Sequence, residues 1–283
     1  MSVMEPPARM VSASHRALVV YAWNGRGHPL ELVRQDHPPH FDVLLFDYSG
    51  TVAEPTVAGF PLLSWATECK GEIYREIQRY LAACPDRYDY VGLIDDDIAL
   101  AWSDLNQLLE IAADHRLDAF QPALTPDSHH DHALMLARPG SLLRWQSWVE
   151  VMMPFYRVPL FLAGETYYAH SISSYGIDQF VMPTLQKLMG MERVAIVDAV
   201  ALRHTRPITS DGKVFANGLS ARQERLLQWR LARAQVARDR PDLIGSPWYF
   251  DTLARWNGPL RFLALRLLQP LLWLKRRTAS PVA

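Results

Sequence analysis

Apolar residues along the chain fall into two recurring arrangements. Some form short unbroken runs ending at glycine or aspartate; others return every three or four positions. An unbroken run of four to eight fits a strand covered on both sheet faces, and the longer spacing fits a helix with one buried side. Residues 17–23, Ala-Leu-Val-Val-Tyr-Ala-Trp, are the first such run, stopping at the turn signal Asn24-Gly25-Arg26-Gly27. A second run, 41–46, ends at Asp47-Tyr48-Ser49-Gly50, and a weaker third covers 60–65. Between 70 and 83, Ile73, Ile77, Tyr80 and Leu81 mark one helical face. Residues 88–94 then predict a strand that runs directly into Asp95-Asp96-Asp97. A helix is expected over 105–115 with Ser103 as its N-cap, and short strands over 119–124 and 133–137 around a polar loop. The apolar segment 148–155 is of undecided type. A helix follows over 179–188, a last strand over 194–202, and a helix over 220–239. Strands alternating with helices, then a mixed second half, predict an α/β fold with helices at its C-terminal end.

Composition narrows the classes. Hydrophobic residues at 49% and charged residues at 21% suit a folded chain rather than a disordered one. A net charge of −1 gives no overall field for nucleic acid, so no nucleic-acid partner is expected. Cys69 and Cys84 lack metal-type spacing, which argues for a reducing compartment and against a disulfide scaffold. With no signal-peptide pattern at the start and no run long enough to span a bilayer, the expected location is cytoplasmic. Residues 259–277 set leucines, Phe262 and Trp273 beside five basic residues. That pattern fits a helix lying in an anionic membrane surface, peripheral at the inner face, and equally a terminal helix covering an apolar patch.

Three places could carry chemistry. Adjacent carboxylates at Asp95-Asp96-Asp97 repel one another after a buried-type strand, and hard cations such as Mg²⁺ or Mn²⁺ prefer such oxygen ligands. The bland alternative is a solvated loop. His204 leaves another strand between Arg203 and Arg206, as a metal ligand with phosphate-binding neighbours or as a structural histidine. Asp178, after the turn at Gly176, reads as a base for a hydroxyl or as a helix N-cap.

The order of these motifs resembles the GT-A class of nucleotide-sugar glycosyltransferases, and more closely an uncharacterised plant and bacterial family assigned to that fold. The stretches that carry it are Lys70-Gly71, Tyr88-Asp89-Tyr90-Val91, Asp95-Asp96-Asp97-Ile98, Gln121-Pro122-Ala123-Leu124, Val149-Glu150-Val151-Met152-Met153-Pro154, Tyr175-Gly176-Ile177-Asp178 and 197–207. The resemblance implies a GT-A-like, Rossmann-like mixed sheet flanked by helices. The chain then divides into a flexible start (1–15), a catalytic domain (16–215), a helical extension (216–257) and a basic amphipathic tail (258–283). It implies a metal-dependent glycosyltransferase using Mn²⁺ or Mg²⁺, with a UDP- or GDP-linked donor and a glycan or lipid-linked acceptor. Asp95, Asp97 and His204 would be the metal residues, and Asp178 the catalytic base. Asn24, Asp47, Lys70, Asp95 and Asp96 would line the nucleotide pocket. Two alternatives remain. The run Phe46-Asp47-Tyr48-Ser49-Gly50-Thr51 also resembles the first motif of haloacid-dehalogenase-type phosphohydrolases, with Asp47 as nucleophile, although Ser49 stands where the usual second aspartate belongs. A non-catalytic module that binds nucleotide-sugar or glycan is the other.

Overall fold

The computed structural model of the chain describes residues 16–84, 86–207 and 213–254. The N-terminal segment 1–15 and the amphipathic tail 258–283 lie outside the described residues. The strands are β1 (Ala17–Trp23), β2 (Val33–Arg34), β3 (Asp42–Asp47), β4 (Thr56–Val57), β5 (Phe60–Ser64), β6 (Tyr90–Ile94), β7 (Ile98–Ala101), β8 (Ala119–Leu124), β9 (Arg144–Trp145), β10 (Phe155–Arg157) and β11 (Val194–His204). The helices are α1 (Lys70–Ala82), α2 (Trp102–Asp114), α3 (Val158–Leu162), α4 (Glu165–Tyr168), α5 (Met182–Met189), α6 (Ala221–Asp239) and α7 (Pro247–Thr252).

One mixed sheet runs β2-β7-β11-β8-β10-β6-β1-β3-β5-β4, with β9 pairing on β11. β5, β3, β1 and β6 are mutually parallel. β10 lies antiparallel between β6 and β8, and β11 runs parallel to β8. Because every other residue of β1 faces the opposite side, its unbroken apolar run serves two cores. Leu18 and Val20 pack with Ile73, Ile77 and Leu81 of α1 on one face. Val19 and Tyr21 pack with Leu105, Leu108 and Ala112 of α2 on the other. From β1 the chain steps to β3 and β5; α1 then carries it back across, and β6 adds to the far side of β1. The strand order reverses at β1/β6. In open α/β sheets the crevice beyond the carboxyl ends at such a reversal is where ligands bind, and Asp95-Asp96-Asp97 follow β6 directly.

Local departures from the expected elements have physical causes. Residues 133–137 were expected as a strand, but Ala133–Met135 form a single 3₁₀ turn, after which only Leu136 bridges to Leu124. Ser103 is not an N-cap. Helix α2 starts at Trp102, three residues before the expected 105, and the Ser103 hydroxyl donates to Asp36 (2.7 Å). The helix expected over 179–188 opens as a wide π-type turn, Ile177–Val181, before α5 begins. Segment 148–155 turns and then enters β10. No helix among the described residues is long and apolar enough to cross a membrane.

Candidate active site

At Ile94 the strand ends and the chain turns at once. The Asp95 N–H donates to the Met152 carbonyl (3.1 Å), and the Ile98 N–H donates to the Asp95 carbonyl (3.3 Å). This turn fans the three carboxylates apart. Asp95 accepts from the Lys70 ammonium at 2.6 Å, and that ammonium also reaches the Met152 carbonyl at 3.0 Å. Asp96 accepts from the Tyr48 hydroxyl (2.8 Å) and from Arg206. Asp97 Oδ2 lies 3.3 Å from His204 Nε2 and 3.5 Å from Arg206 Nε, while Asp97 Oδ1 is buried without a partner.

Strand β7 is what brings His204 here. It begins right after the acidic turn and pairs antiparallel with the end of β11, setting His204 opposite Ile98. The Thr205 N–H and hydroxyl then both donate to the Asp97 carbonyl, at 2.9 and 2.8 Å. The imidazole is locked from behind: Nδ1 lies 2.8 Å from the His129 carbonyl. A carbonyl only accepts, so Nδ1 carries the proton and the Nε2 lone pair of the neutral ring faces Asp97. Burial works against a charged ring, but the bonds to Asp97 and the His129 carbonyl outweigh it, and the His204 pKa is raised. Burial likewise opposes a charged Asp97, yet His204 and Arg206 hold its pKa below the ordinary carboxylate value. Asp95 goes the other way. Burial pushes it up to about 6 despite Lys70.

Beside this cluster opens a cavity of about 260 Å³. Its lining includes Lys70, Asp95, Asp97 and His204 together with Asp131, His132, Glu150, Met152, Tyr175, Gly176 and Asp178. Asp178 is not an N-cap. It sits inside the first turn after Gly176, whose φ of +88° suits a residue without Cβ. Burial is the main influence pushing Asp178 up to about 7, with the Gln179 N–H (2.8 Å) and Arg225 pulling the other way. Glu150 is pushed up to about 8 by burial, then by Asp178 and Asp131. Sequence reasoning passed over Glu150; the signal was a lone carboxylate inside the apolar run 149–153.

The cavity rim is tied to helix α6. Buried Glu224 of α6 accepts from the Ile172 N–H (3.0 Å), the Ser173 N–H (2.7 Å) and the Ser173 hydroxyl. From the other side Gly71 of α1 presses on the same loop, its N–H donating to the Ile172 carbonyl at 2.8 Å. A Cβ on Gly71 would stand 2.6 Å from the Ser171 carbonyl oxygen.

No protein-family model and no curated protein sequence matches the chain. Solved structures do. S. aureus TarS 1-349 in complex with UDP-GlcNAc superposes with a TM-score of 0.55 at 14% identity, over 80% of this chain and 67% of that one. The same fragment in complex with UDP gives 0.50 at 12% identity, over 86% and 74%. GalNAc-T7 with UDP, GalNAc and Mn²⁺ gives 0.52 at 9% identity, over 83% of this chain and 52% of that one.

The fold is GT-A.

Within the GT-A frame the other expected residues fall away from the cavity. Asp47 has no exposed surface. Its Oδ1 accepts from the Ser49 N–H and hydroxyl, and its Oδ2 from the Thr51 N–H, the Val52 N–H and the Ser64 hydroxyl. A phosphohydrolase nucleophile has to be open to a phosphate, so this enclosure removes the dehalogenase-type alternative. Asn24 caps its own turn, accepting from the Arg26 N–H at 2.9 Å. Arg203 points to Asp127 (3.0 Å), leaving Arg206 as the arginine on the acidic turn. Trp102 is buried edge-on to Phe41 and Phe60. Trp145 is half exposed under Arg193, and Trp148 packs against His132.

Asp97 and His204 fit one divalent cation, and the orphaned Asp97 Oδ1 with the confronted Nε2 lone pair is the reason. Among the described residues, however, no three His, Cys, Asp or Glu side chains form a metal-holding group. A cation here would therefore rest on two side chains and complete its shell with water and substrate oxygens, the usual habit of Mg²⁺ at phosphate sites.

Proposed function

We propose that this protein is a metal-assisted glycosyltransferase that moves a sugar from a nucleotide-sugar donor to a hydroxyl of a saccharide or lipid-linked acceptor. One observation carries it: Asp97 and His204, at the carboxyl edge of the sheet, line the same cavity as Asp178. The GT-A fold, and the UDP-GlcNAc, UDP and Mn²⁺ bound by TarS and GalNAc-T7, support a UDP-linked donor ahead of a GDP-linked one.

Charge governs the chemistry. The acceptor oxygen bonds to the anomeric carbon, and the bond from that carbon to the phosphate oxygen breaks with its electrons left on the nucleoside diphosphate. The acceptor proton passes to Asp178, whose carboxyl near 7 is matched to that task at neutral pH. Lys70 and Arg206 hold Asp95 and Asp96, so the acidic turn does not repel the diphosphate with its full charge. A divalent ion held by Asp97 and His204 would supply the remaining positive charge for the leaving group.

The test is release of UDP from a panel of UDP-sugars with mixed saccharide acceptors and Mn²⁺. Wild-type protein turns over at least one donor. Asp178→Asn lowers turnover by about 10²–10⁴-fold, the usual range for a missing general base, while UDP affinity stays the same. No donor turned over, or Asp178→Asn at the wild-type rate, contradicts the assignment.

A further inference from the structure

The cavity holds a second buried carboxyl that the reaction above does not use. Glu150 is 5% exposed, and its backbone is pinned: its N–H donates to Gln121 Oε1 (2.6 Å), itself a fully buried side chain on β8. The carboxyl, by contrast, is left open. Glu150 Oε2 is buried with no hydrogen-bond partner, and Oε1 lies 3.9 Å from His132 Nε2, its nearest basic side chain among the described residues. A buried carboxyl oxygen without a hydrogen-bond partner is unfavourable, and a bound ligand that donates to it relieves that cost. The groups around it set what that ligand is. Asp178 comes from the turn before α5, and Asp131 and His132 from the loop after β8. His204 at the end of β11 acts on it in the opposite sense to those acids. An anionic group placed here would meet three acids, whereas a hydroxyl can give a hydrogen bond to one carboxyl and take one from another.

We propose that Glu150 is the acceptor-binding residue of this site, hydrogen-bonding an uncharged saccharide or polyol so that its reacting hydroxyl reaches Asp178. The assignment rests on the transferase reading above. Burial and the neighbouring acids favour the protonated form of Glu150 at neutral pH, which gives it both a donor and an acceptor oxygen. Asp178 takes the proton and Glu150 holds the alcohol.

The full chain is tested in three ways. UDP binding in Mn²⁺ is measured first, then acceptor kinetics with neutral disaccharides and their uronate counterparts, then thermal melting of Glu150→Ala and Glu150→Gln. Expected are UDP affinity unchanged in both variants and stimulation by neutral disaccharides but not by uronates. Glu150→Ala should raise the acceptor KM by roughly tenfold or more, as expected when a buried hydrogen bond to substrate is lost. Glu150→Gln, which keeps a donor and an acceptor in place, should recover to within about threefold, and it should melt at or above the wild type because it relieves an unpaired buried acid. A fall in melting temperature in both variants overturns the proposal in favour of a structural role. So does an acceptor KM untouched by Glu150→Ala, or a preference for uronates. Absence of UDP binding in the wild type overturns the transferase reading instead, and this assignment with it.

Discussion

The His129 carbonyl decides what His204 can do. By holding the Nδ1 proton it turns the other nitrogen towards Asp97, leaving two electron-rich atoms 3.3 Å apart that need a proton or a metal ion between them. Asp47 illustrates the opposite fate for a carboxylate. Burial acts to raise its pKa, but the donors from Ser49, Val52 and Ser64 outweigh it, and the pKa ends below the ordinary 3.8. Asp47→Asn puts amide hydrogens against those donors and should destabilise the protein by roughly 2–3 kcal/mol, the scale for charged buried hydrogen bonds. The sign with pH follows from the lowered pKa. Its contribution is fully present above 3.8 and is lost as pH falls through the lower folded value. Urea melts should therefore show a constant gap between variant and wild type from pH 6 to 8 that narrows in acid; a gap that widens in acid contradicts this account. Neither fate was legible in the sequence, where Asp47 and Asp97 are both aspartates just beyond an apolar strand. What separates them is the loop behind each one: residues 48–52 close over Asp47, whereas Asp97 leads straight into β7.

Elements with their own period were legible. β1 is an unbroken seven-residue apolar run and was delimited to the residue; α1 has a clean apolar face and was delimited to within one. β7 and β10, of four and three residues, have no period to detect. They are strands because the pairing edges of β11 and β6 are there to take them. Since β7 is the device that sets His204 beside Asp97, the pair could be suspected from composition at strand ends but its contact could not be derived. Helix α6 poses the same problem. Its Ser220–Gln223 capping box is readable, but its part in the site is carried by Glu224, which looks like any first-turn acid until its carboxylate is found beneath loop 171–174. Glu224→Ala leaves the Ile172 and Ser173 N–H groups unpaired and should destabilise by roughly 1–3 kcal/mol. Hydrogen exchange should accelerate at 172–173 well beyond its change in β1; exchange unaltered at those amides would mean α6 does not hold the rim.

At the scale of the molecule, the reversal of strand order at β1/β6 places a crevice at the carboxyl edge, and both the acidic turn and the end of β11 arrive there. Two groups of side chains meet at that edge: Lys70, His204 and Arg206 paired with the three aspartates of the turn, and Asp131, Glu150 and Asp178 lining the cavity. A donor diphosphate and an uncharged acceptor suit that division. A cation held by His204 would compete with its proton, and the raised pKa would put that competition above the ordinary imidazole value, so the proposed metal-dependent binding should strengthen as pH rises from 6 to 8. The most direct measurement is titration calorimetry of UDP into the protein with Mn²⁺ and with a chelator, for wild type, Asp97→Ala and His204→Ala. The account predicts UDP binding at least about tenfold tighter with Mn²⁺ in the wild type, with that advantage gone in both variants. Equal UDP affinity with and without the metal, or a metal advantage that survives Asp97→Ala, would contradict it.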